Sequence, residues 1–266
     1  MLGGEIYSMG GMHAPMLNRT PRGASECVFK PHAGRACACV MVYNPLHNRW
    51  RGVTPMLHPR LAFGAVTEAG KIYVFGGAQR MTMDRGDVAK LCEAYDPATQ
   101  TWRQLANIPE PLEGPAVVAV DGTIYLLGGQ RNPAGTTEGA VQSYNVAKNK
   151  WTRHRPMPEP RKAFSAFVVG RKILCMGGID VDQKSTATTY CLDTTTMKWS
   201  RLADAPEVHC GFFVHVGDRL CSIDVENCDS DYIISEDAWV PDRKLAALPI
   251  WHKVHMVEPV ALSLAI

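Results

Sequence analysis

The chain has 266 residues, of which 46% are hydrophobic, so it is long enough to bury a large core. Its formal net charge of +2 excludes the strong overall field that attracts nucleic acids or anionic membranes. No apolar run approaches the roughly 18 residues that a membrane span needs, and the chain does not open with a signal peptide. We therefore expect neither nucleic-acid nor membrane partners.

The first repeated pattern is an aromatic or apolar residue shortly before a Gly-Gly pair. It reads YSMGG at 7–11, YVFGG at 73–77, YLLGG at 125–129 and LCMGG at 174–178. The later copies follow a β-forming run and a short Gly-containing link, as in VAVDGTIY. Such links are typical of tight β-hairpins. Each unit is therefore predicted to begin with two antiparallel strands, A and B.

A second pattern follows each Gly-Gly pair after a loop of variable length. It reads YNPLHNRW ending at Trp50, YDPATQTW at Trp102, YNVAKNKW at Trp151 and LDTTTMKW at Trp199. Asn or Asp after the first residue favours a turn, so we predict strands C and D, with the Trp at the start of D. The tryptophans recur at intervals of 52, 49 and 48 residues, and a period near 50 indicates a repeat architecture.

Repeated four-stranded sheets of this size form a β-propeller, in which Tyr and Trp would fill the space between adjacent sheets. On its Gly-Gly pairs and its Tyr–Trp spacing, the sequence resembles the kelch-repeat family over nearly its whole length. The resemblance implies an all-β, kelch-type propeller, similar to the C-terminal kelch domain of BTB–kelch proteins. The family marks are Gly10-Gly11, Gly76-Gly77, Gly128-Gly129 and Gly177-Gly178, with the Tyr–Trp pairs quoted above.

The whole chain, 1–266, is predicted to be one propeller domain without a BTB or BACK domain. Its blades are expected at about 3–57, 58–109, 110–159, 160–206 and 207–250. The apolar stretch 256–266 reads as one strand and would supply the missing strand A of the first blade, which closes five four-stranded blades and removes an open edge. An incomplete six-bladed propeller is the alternative.

The fifth repeat departs from the family pattern. Asp224-Val225 stands where the Gly-Gly pair is expected. We also expect the Tyr–Trp spacing to be lost around Trp239.

Nine cysteines stand at irregular positions, which favours reduced thiols and a cytoplasmic, or else nuclear, protein. Cys175 and Cys221 fall in apolar strand patterns and are expected to be buried. Cys37 and Cys39 are two residues apart, but a zinc site needs a second pair of ligands nearby. We therefore expect no metal and no cofactor.

Binding is expected on the face that carries the B–C loops and the D–A connections, because these segments vary most in length. The connection from Gly11 to Tyr43 is the longest of them. Aligning the repeats places Arg60, Leu112, Arg161 and Val208 at equivalent positions around the mouth of the central channel. Arginine binds carboxylates bidentately, so an acidic protein segment is the expected guest. The predicted protein-binding residues are Arg60, Glu113, Arg161, Lys162, His209, Arg80, Arg85 and Arg131.

The resemblance implies a protein-interaction module like the substrate-recognition domain of cullin-3 ubiquitin ligase adaptors. The cullin would be held by a BTB region that this chain lacks. A second possibility is a cytoskeletal kelch protein that binds actin. A kelch-type enzyme is the third, but the histidines are scattered and no catalytic acid–base pair is recognisable, so we expect no enzyme and predict no catalytic residue.

Overall fold

The computed structural model describes residues 2–11, 36–78, 90–131, 135–206, 213–216, 218–222 and 230–241. In these stretches the protein consists of five antiparallel sheets joined in chain order. One sheet has three strands and four have four strands. We call the sheets blades 1 to 5.

The strand bounds follow the repeat. Blade 1 contains β1 (Ile6–Met9), β2 (Val40–Asn44) and β3 (Arg49–Val53). Blade 2 contains β4 (Gly64–Glu68), β5 (Lys71–Phe75), β6 (Cys92–Asp96) and β7 (Thr101–Gln104). Blade 3 contains β8 (Ala116–Val120), β9 (Thr123–Leu127), β10 (Val141–Asn145) and β11 (Lys150–His154).

Blade 4 contains β12 (Ser165–Val169), β13 (Lys172–Met176), β14 (Thr189–Asp193) and β15 (Lys198–Arg201). Blade 5 contains β16 (Phe213–Val216), β17 (Arg219–Ser222), β18 (Ser230–Ile233) and β19 (Ala238–Pro241). Within each four-stranded blade the strands pair in sequence order, and all pairs are antiparallel. The all-β architecture is as predicted.

The predicted A–B hairpins are confirmed. In blade 3, Val120 pairs with Thr123, so only Asp121 and Gly122 form the loop. Both have positive φ, 49° and 74°, which is the requirement of a two-residue type I′ turn. This turn matches the twist of the flanking strands and fixes their register.

The innermost strands of neighbouring blades lie against one another. Strand β8 of blade 3 contacts both β4 of blade 2 and β12 of blade 4. The residues immediately before these strands are therefore brought together at the axial end of the loop face. The candidate site lies there.

An apolar core separates each consecutive pair of blades. Between blades 2 and 3, Phe75 and Cys92 pack against Leu126 and Tyr144. Similar clusters lie between blades 1 and 2, 3 and 4, and 4 and 5. Alternate side chains of each strand thus face the preceding and the following blade, as the two-residue period of a strand requires.

The tyrosine and tryptophan of the repeat join blade 3 to the preceding blade. Tyr144 and Trp151 are cross-strand partners with ring centroids 5.2 Å apart. The Trp151 indole donates to the Ala106 carbonyl in the preceding connection (2.8 Å), and the Ala106 amide donates to Asn149 Oδ1 (2.9 Å). Asn149 Oδ1 also accepts from the Tyr144 hydroxyl (2.8 Å). Asn149 and Trp151 together hold both main-chain polar groups of one residue in the neighbouring blade; we call this arrangement the Asn–Trp clamp.

The same clamp occurs in blade 5, so the expected loss of the Tyr–Trp spacing is wrong. Tyr232 pairs with Trp239 and stands seven residues before it. Asp237 Oδ1 accepts from the Ala203 amide (2.9 Å), and the Trp239 indole donates to the Ala203 carbonyl (3.2 Å). Asp224-Val225 and the predicted closing strand 256–266 lie outside the described residues. The number of blades and their predicted boundaries stay predictions.

Candidate binding face

Five of the eight predicted site residues are described. Arg60, Glu113, Arg161 and Lys162 lie in the connections that lead into β4, β8 and β12, and Arg131 follows the Gly-Gly pair of blade 3. Arg80, Arg85 and His209 lie outside the described residues, as does most of the long loop after Gly11.

Arg60 does not present its guanidinium to solvent, contrary to the prediction. Its side chain is 0% exposed. It donates to the carbonyls of Gly76 (2.8 Å) and Leu91 (2.9 Å) and forms an ion pair with the buried Glu93 at 2.5 Å. A buried charge needs such a partner and hydrogen bonds. The guanidinium therefore braces the connections of blades 1 and 2 from inside.

Glu93 also contacts two residues that precede Arg60 in the chain. Its Oε2 accepts from the Leu57 amide (2.7 Å), and its Oε1 lies 2.9 Å from Nδ1 of His58. Glu93 is not among the predicted site residues, although its position in the repeat carries a signal. Glu93 stands two residues before Tyr95, and the equivalent residue of blade 3 is Gln142.

The Arg161 side chain is also 0% exposed, so its guanidinium is not presented to a ligand at the channel mouth. It donates to the carbonyls of Gly177 (3.0 Å) and Thr188 (2.9 Å), and to the Thr188 hydroxyl (2.7 Å). Its carboxylate partner is Glu159 at 3.2 Å, and its guanidinium lies 5.4 Å from the centre of the Tyr190 ring. Arg161 thus braces blade 4 as Arg60 braces blade 2.

Blade 3 has uncharged residues at the positions of Arg60 and Glu93. Leu112 replaces the arginine and is fully buried. Gln142 occupies the position of Glu93, and its amide donates to the Glu110 carbonyl (2.7 Å) and accepts from the Glu110 amide (2.9 Å). Arginine with glutamate in blade 2, and leucine with glutamine in blade 3, thus occupy the same two positions of the repeat. Sequence alignment finds the equivalent positions, but their burial depends on partners about 30 residues away.

Glu113 and Lys162 are brought together through a third side chain. Each precedes its innermost strand, and each forms an isolated bridge, Glu113 with Gln130 and Lys162 with Ile179. Lys162 Nζ donates to Gln130 Oε1 (3.0 Å), and Gln130 Nε2 donates to Glu113 Oε2 (3.2 Å). Gln130, which the sequence analysis missed, therefore links the two predicted residues.

The second oxygen of Glu113 has no hydrogen-bond partner among the described residues. The residue is 5% exposed, and burial raises the pKa of its carboxyl group, an effect that the Gln130 hydrogen bond opposes. The main chain is also tightly packed here. Gly129 has a φ of 103°, and a Cβ on it would lie 2.6 Å from the Glu113 carbonyl oxygen.

Arg131 is exposed but paired within the chain. It forms ion pairs with Glu138 (2.5 Å) and Glu110 (3.2 Å), and Glu110 also holds Arg153 (3.2 Å). The arginines predicted to make this face basic are thus matched by carboxylates wherever they are described. Contact of any of these residues with a partner protein stays a prediction.

The described residues contain no group of three or more His, Cys, Asp or Glu side chains that could hold a metal ion. Cys175 is buried, as expected, and burial raises the pKa of its thiol to about 12, as it does for Cys92. Cys37 directs its Sγ toward the Gly10 carbonyl at 3.3 Å. The same part of the chain contains no helix long and apolar enough to cross a membrane.

Comparison with protein families matches residues 23–220 to the model described as the KLHDC2/KLHL20/DRC7 Kelch-repeats domain. The chain belongs to the kelch-repeat family. This membership supports a role as a protein-interaction module, since kelch domains of this kind mostly bind other proteins.

Kelch relatives among characterised proteins are much longer than this chain. Beta-scruin of Limulus polyphemus is 31% identical over 232 residues, which cover 76% of this chain and 25% of that protein. Human Kelch-like protein 23 is 27% identical over 206 residues, which cover 76% of this chain and 35% of that protein. The chain therefore spans about a quarter to a third of these relatives.

One solved structure, "Structure of YjhT", superimposes with a TM-score of 0.60 and 19% sequence identity. The match covers 69% of this chain and 65% of that chain. At this identity the likeness establishes the fold alone, and the kelch-type β-propeller predicted from the sequence is confirmed.

Proposed function

We propose that this kelch domain binds a segment of a partner protein on its loop face and has no catalytic role of its own. The observation that carries the proposal is the internal bracing of this face. Arg60 and Arg161 fix the connections of blades 2 and 4 through main-chain carbonyls. A rigid scaffold that carries loops of different length is the usual arrangement of a recognition surface.

Loop length supports the same face. The connection between β1 and β2 covers residues 10–39, whereas β9 and β10 are joined by residues 128–140. Apolar side chains are also exposed here. Leu57, in the connection from blade 1 to blade 2, is 50% exposed, and Val181, in the B–C loop of blade 4, is 57% exposed.

The Val181 loop is held in shape by its neighbour. Asp180 Oδ1 accepts from the amides of Asp182 and Lys184, both at 2.9 Å. A loop fixed in this way presents an apolar side chain at little entropic cost on binding.

We further propose that the domain serves as the substrate-recognition part of a cullin-3 ubiquitin ligase adaptor. Similarity to Kelch-like protein 23 supports this role. The cullin would be held by a BTB region, so this chain by itself should not bind cullin-3. The acidic guest predicted from the sequence, and a cytoplasmic or nuclear location, remain parts of the proposal. Among the arginines predicted for this face, the described Arg60, Arg131 and Arg161 are already paired with carboxylates. We therefore propose that Arg80, Arg85 and His209 attract such a guest.

Affinity capture from cell lysate with the parent chain and three variants tests the binding face. Leu57→Asp and Val181→Asp place charge on the loop face. Leu46→Asp is the matched control, because Leu46 is 92% exposed in the turn between β2 and β3, at the opposite face. We expect a protein that the parent and the Leu46 variant retain and that the loop-face variants lose.

Three results would contradict parts of the proposal. Identical captured proteins for all versions would mean that binding lies elsewhere. Direct capture of cullin-3 by this chain would contradict the adaptor arrangement. Sedimentation of the purified chain with actin filaments would favour the cytoskeletal alternative.

A further inference from the structure

Glu113 lies where the innermost strands of blades 2, 3 and 4 meet the loop face. It directly precedes the segment that leads into β8, and Lys162 occupies the equivalent position before β12. Because β8 lies against both β4 and β12, these two side chains stand near the axial end of the face. A protein segment bound on the loop face would pass over this position.

The hydrogen bonds at this point have a fixed direction. Lysine can only donate, so the Gln130 carbonyl oxygen faces Lys162 and the Gln130 amide nitrogen faces Glu113. The Lys162 ammonium is thus separated from the Glu113 carboxylate by the Gln130 amide group. It cannot make a direct ion pair with Glu113 in this arrangement.

This leaves one strong acceptor unused. Glu113 Oε1 has no hydrogen-bond partner in the described part of the chain, although the residue is more than nine-tenths buried. Buried carboxylate oxygens in folded proteins are normally paired with donors. By contrast, Glu110 on the same face uses both of its oxygens, one for Arg131 and one for Arg153.

We propose that Glu113 Oε1 is the acceptor of a subsite for a cationic side chain, a lysine or arginine of the bound protein segment. A cationic donor would supply both the missing hydrogen bond and the missing opposite charge, whereas a neutral donor would supply only the first. The inference rests on the proposed binding of a protein segment to the loop face. It adds one basic residue to the chemistry of that segment.

The test uses the whole chain with carbon-13 in the glutamate side-chain carboxyl groups, observed by NMR. The probe is N-acetyl-lysine methylamide, and N-acetyl-norleucine methylamide is the control with the same stem and no charge. The Glu113→Gln variant identifies the Glu113 resonance. We expect a saturable change of that resonance with the lysine probe at about millimolar concentrations, a lower pKa of Glu113 when the probe is bound, and no such response to the norleucine probe.

Two further variants sharpen the result. Lys162→Met removes the positive charge on the other side of Gln130 and should tighten binding of the lysine probe by roughly threefold or more, because the two cations repel each other through a partly buried site. Glu110→Gln should leave the Glu113 response unchanged, since that carboxylate is already paired. These variants do not require that the Glu113 variant folds.

An equal response to both probes, or no response at Glu113, would overturn the proposal and would mean that Oε1 carries only a proton. The experiment needs no partner protein. A negative probe result would therefore not change the outcome of the capture experiment. If the probe binds but no protein is captured, the proposed partner protein is rejected and the cation subsite is retained.

Discussion

At the scale of single residues, two arginines that look like ligand-binding groups are structural. Replacing Arg60 by Leu should leave the Glu93 carboxylate buried without its guanidinium partner. We expect the free energy of unfolding to fall by about 3–5 kcal/mol. The double variant Arg60→Leu/Glu93→Gln copies Leu112 and Gln142 of blade 3 and should recover most of the loss. Urea unfolding measures both, and Arg131→Met is the exposed control, expected to cost less than about 1 kcal/mol. A double variant as unstable as the single one would contradict the equivalence of the two residue pairs.

Glu113 provides a second test at this scale, through pH. Burial raises the pKa of its carboxyl group in the folded chain. A raised folded-state pKa means that its contribution to stability is complete below the unfolded pKa and is lost as pH rises through the folded pKa. Glu113→Gln cannot ionise, so its unfolding free energy relative to the parent should increase over that pH range. A pH-independent difference would show that the carboxyl group titrates alike in the folded and unfolded chains.

At the scale of elements, the turn between strands C and D supplies the hydrogen-bond acceptor of the Asn–Trp clamp. Asn149 has a φ of 49° and accepts from both Tyr144 and Ala106. Asn149→Ala should cost about 2–3 kcal/mol, because two hydrogen bonds are lost and alanine tolerates positive φ poorly. Asn149→Asp keeps the acceptor, as Asp237 does in blade 5, and should cost less than about 1 kcal/mol. Thermal unfolding compares them, and equal losses would mean that the acceptor is unimportant.

The sequence predicts these elements well for local reasons. The Gly-containing turns, the Asn or Asp of the C–D turn and the tryptophans act within a few residues of themselves, so the pattern is sufficient to find strands and hairpins. The prediction that blade 5 loses the Tyr–Trp spacing is wrong. The repeat lacks its Gly-Gly pair there, but Tyr232 and Trp239 keep the spacing. The buried state of Arg60 could not be predicted in the same way, because it depends on Glu93, which is 33 residues away in the chain.

At the scale of the whole molecule, blade 1 differs from the blades that follow. Trp102 is 9% exposed and donates to the Thr54 carbonyl of blade 1, whereas Trp50 at the equivalent position is 38% exposed. Trp102→Leu should therefore cost about 3 kcal/mol, and Trp50→Leu about 1 kcal/mol or less. Urea unfolding of the two variants measures the difference. Equal costs would mean that the face of blade 1 that carries Trp50 is as well covered in solution as the face of blade 2 that carries Trp102.

The Asn–Trp clamp has a consequence for how such a chain grows. It binds the main-chain amide and carbonyl of one residue in the neighbouring blade, Ala106 in one case and Ala203 in another. Every residue except proline offers the same two groups. A duplicated blade would consequently fit beside its parent at once, before any compensating substitution. Gene duplication can thus lengthen the array while the B–C loops, which the clamp does not bind, diverge toward new partners.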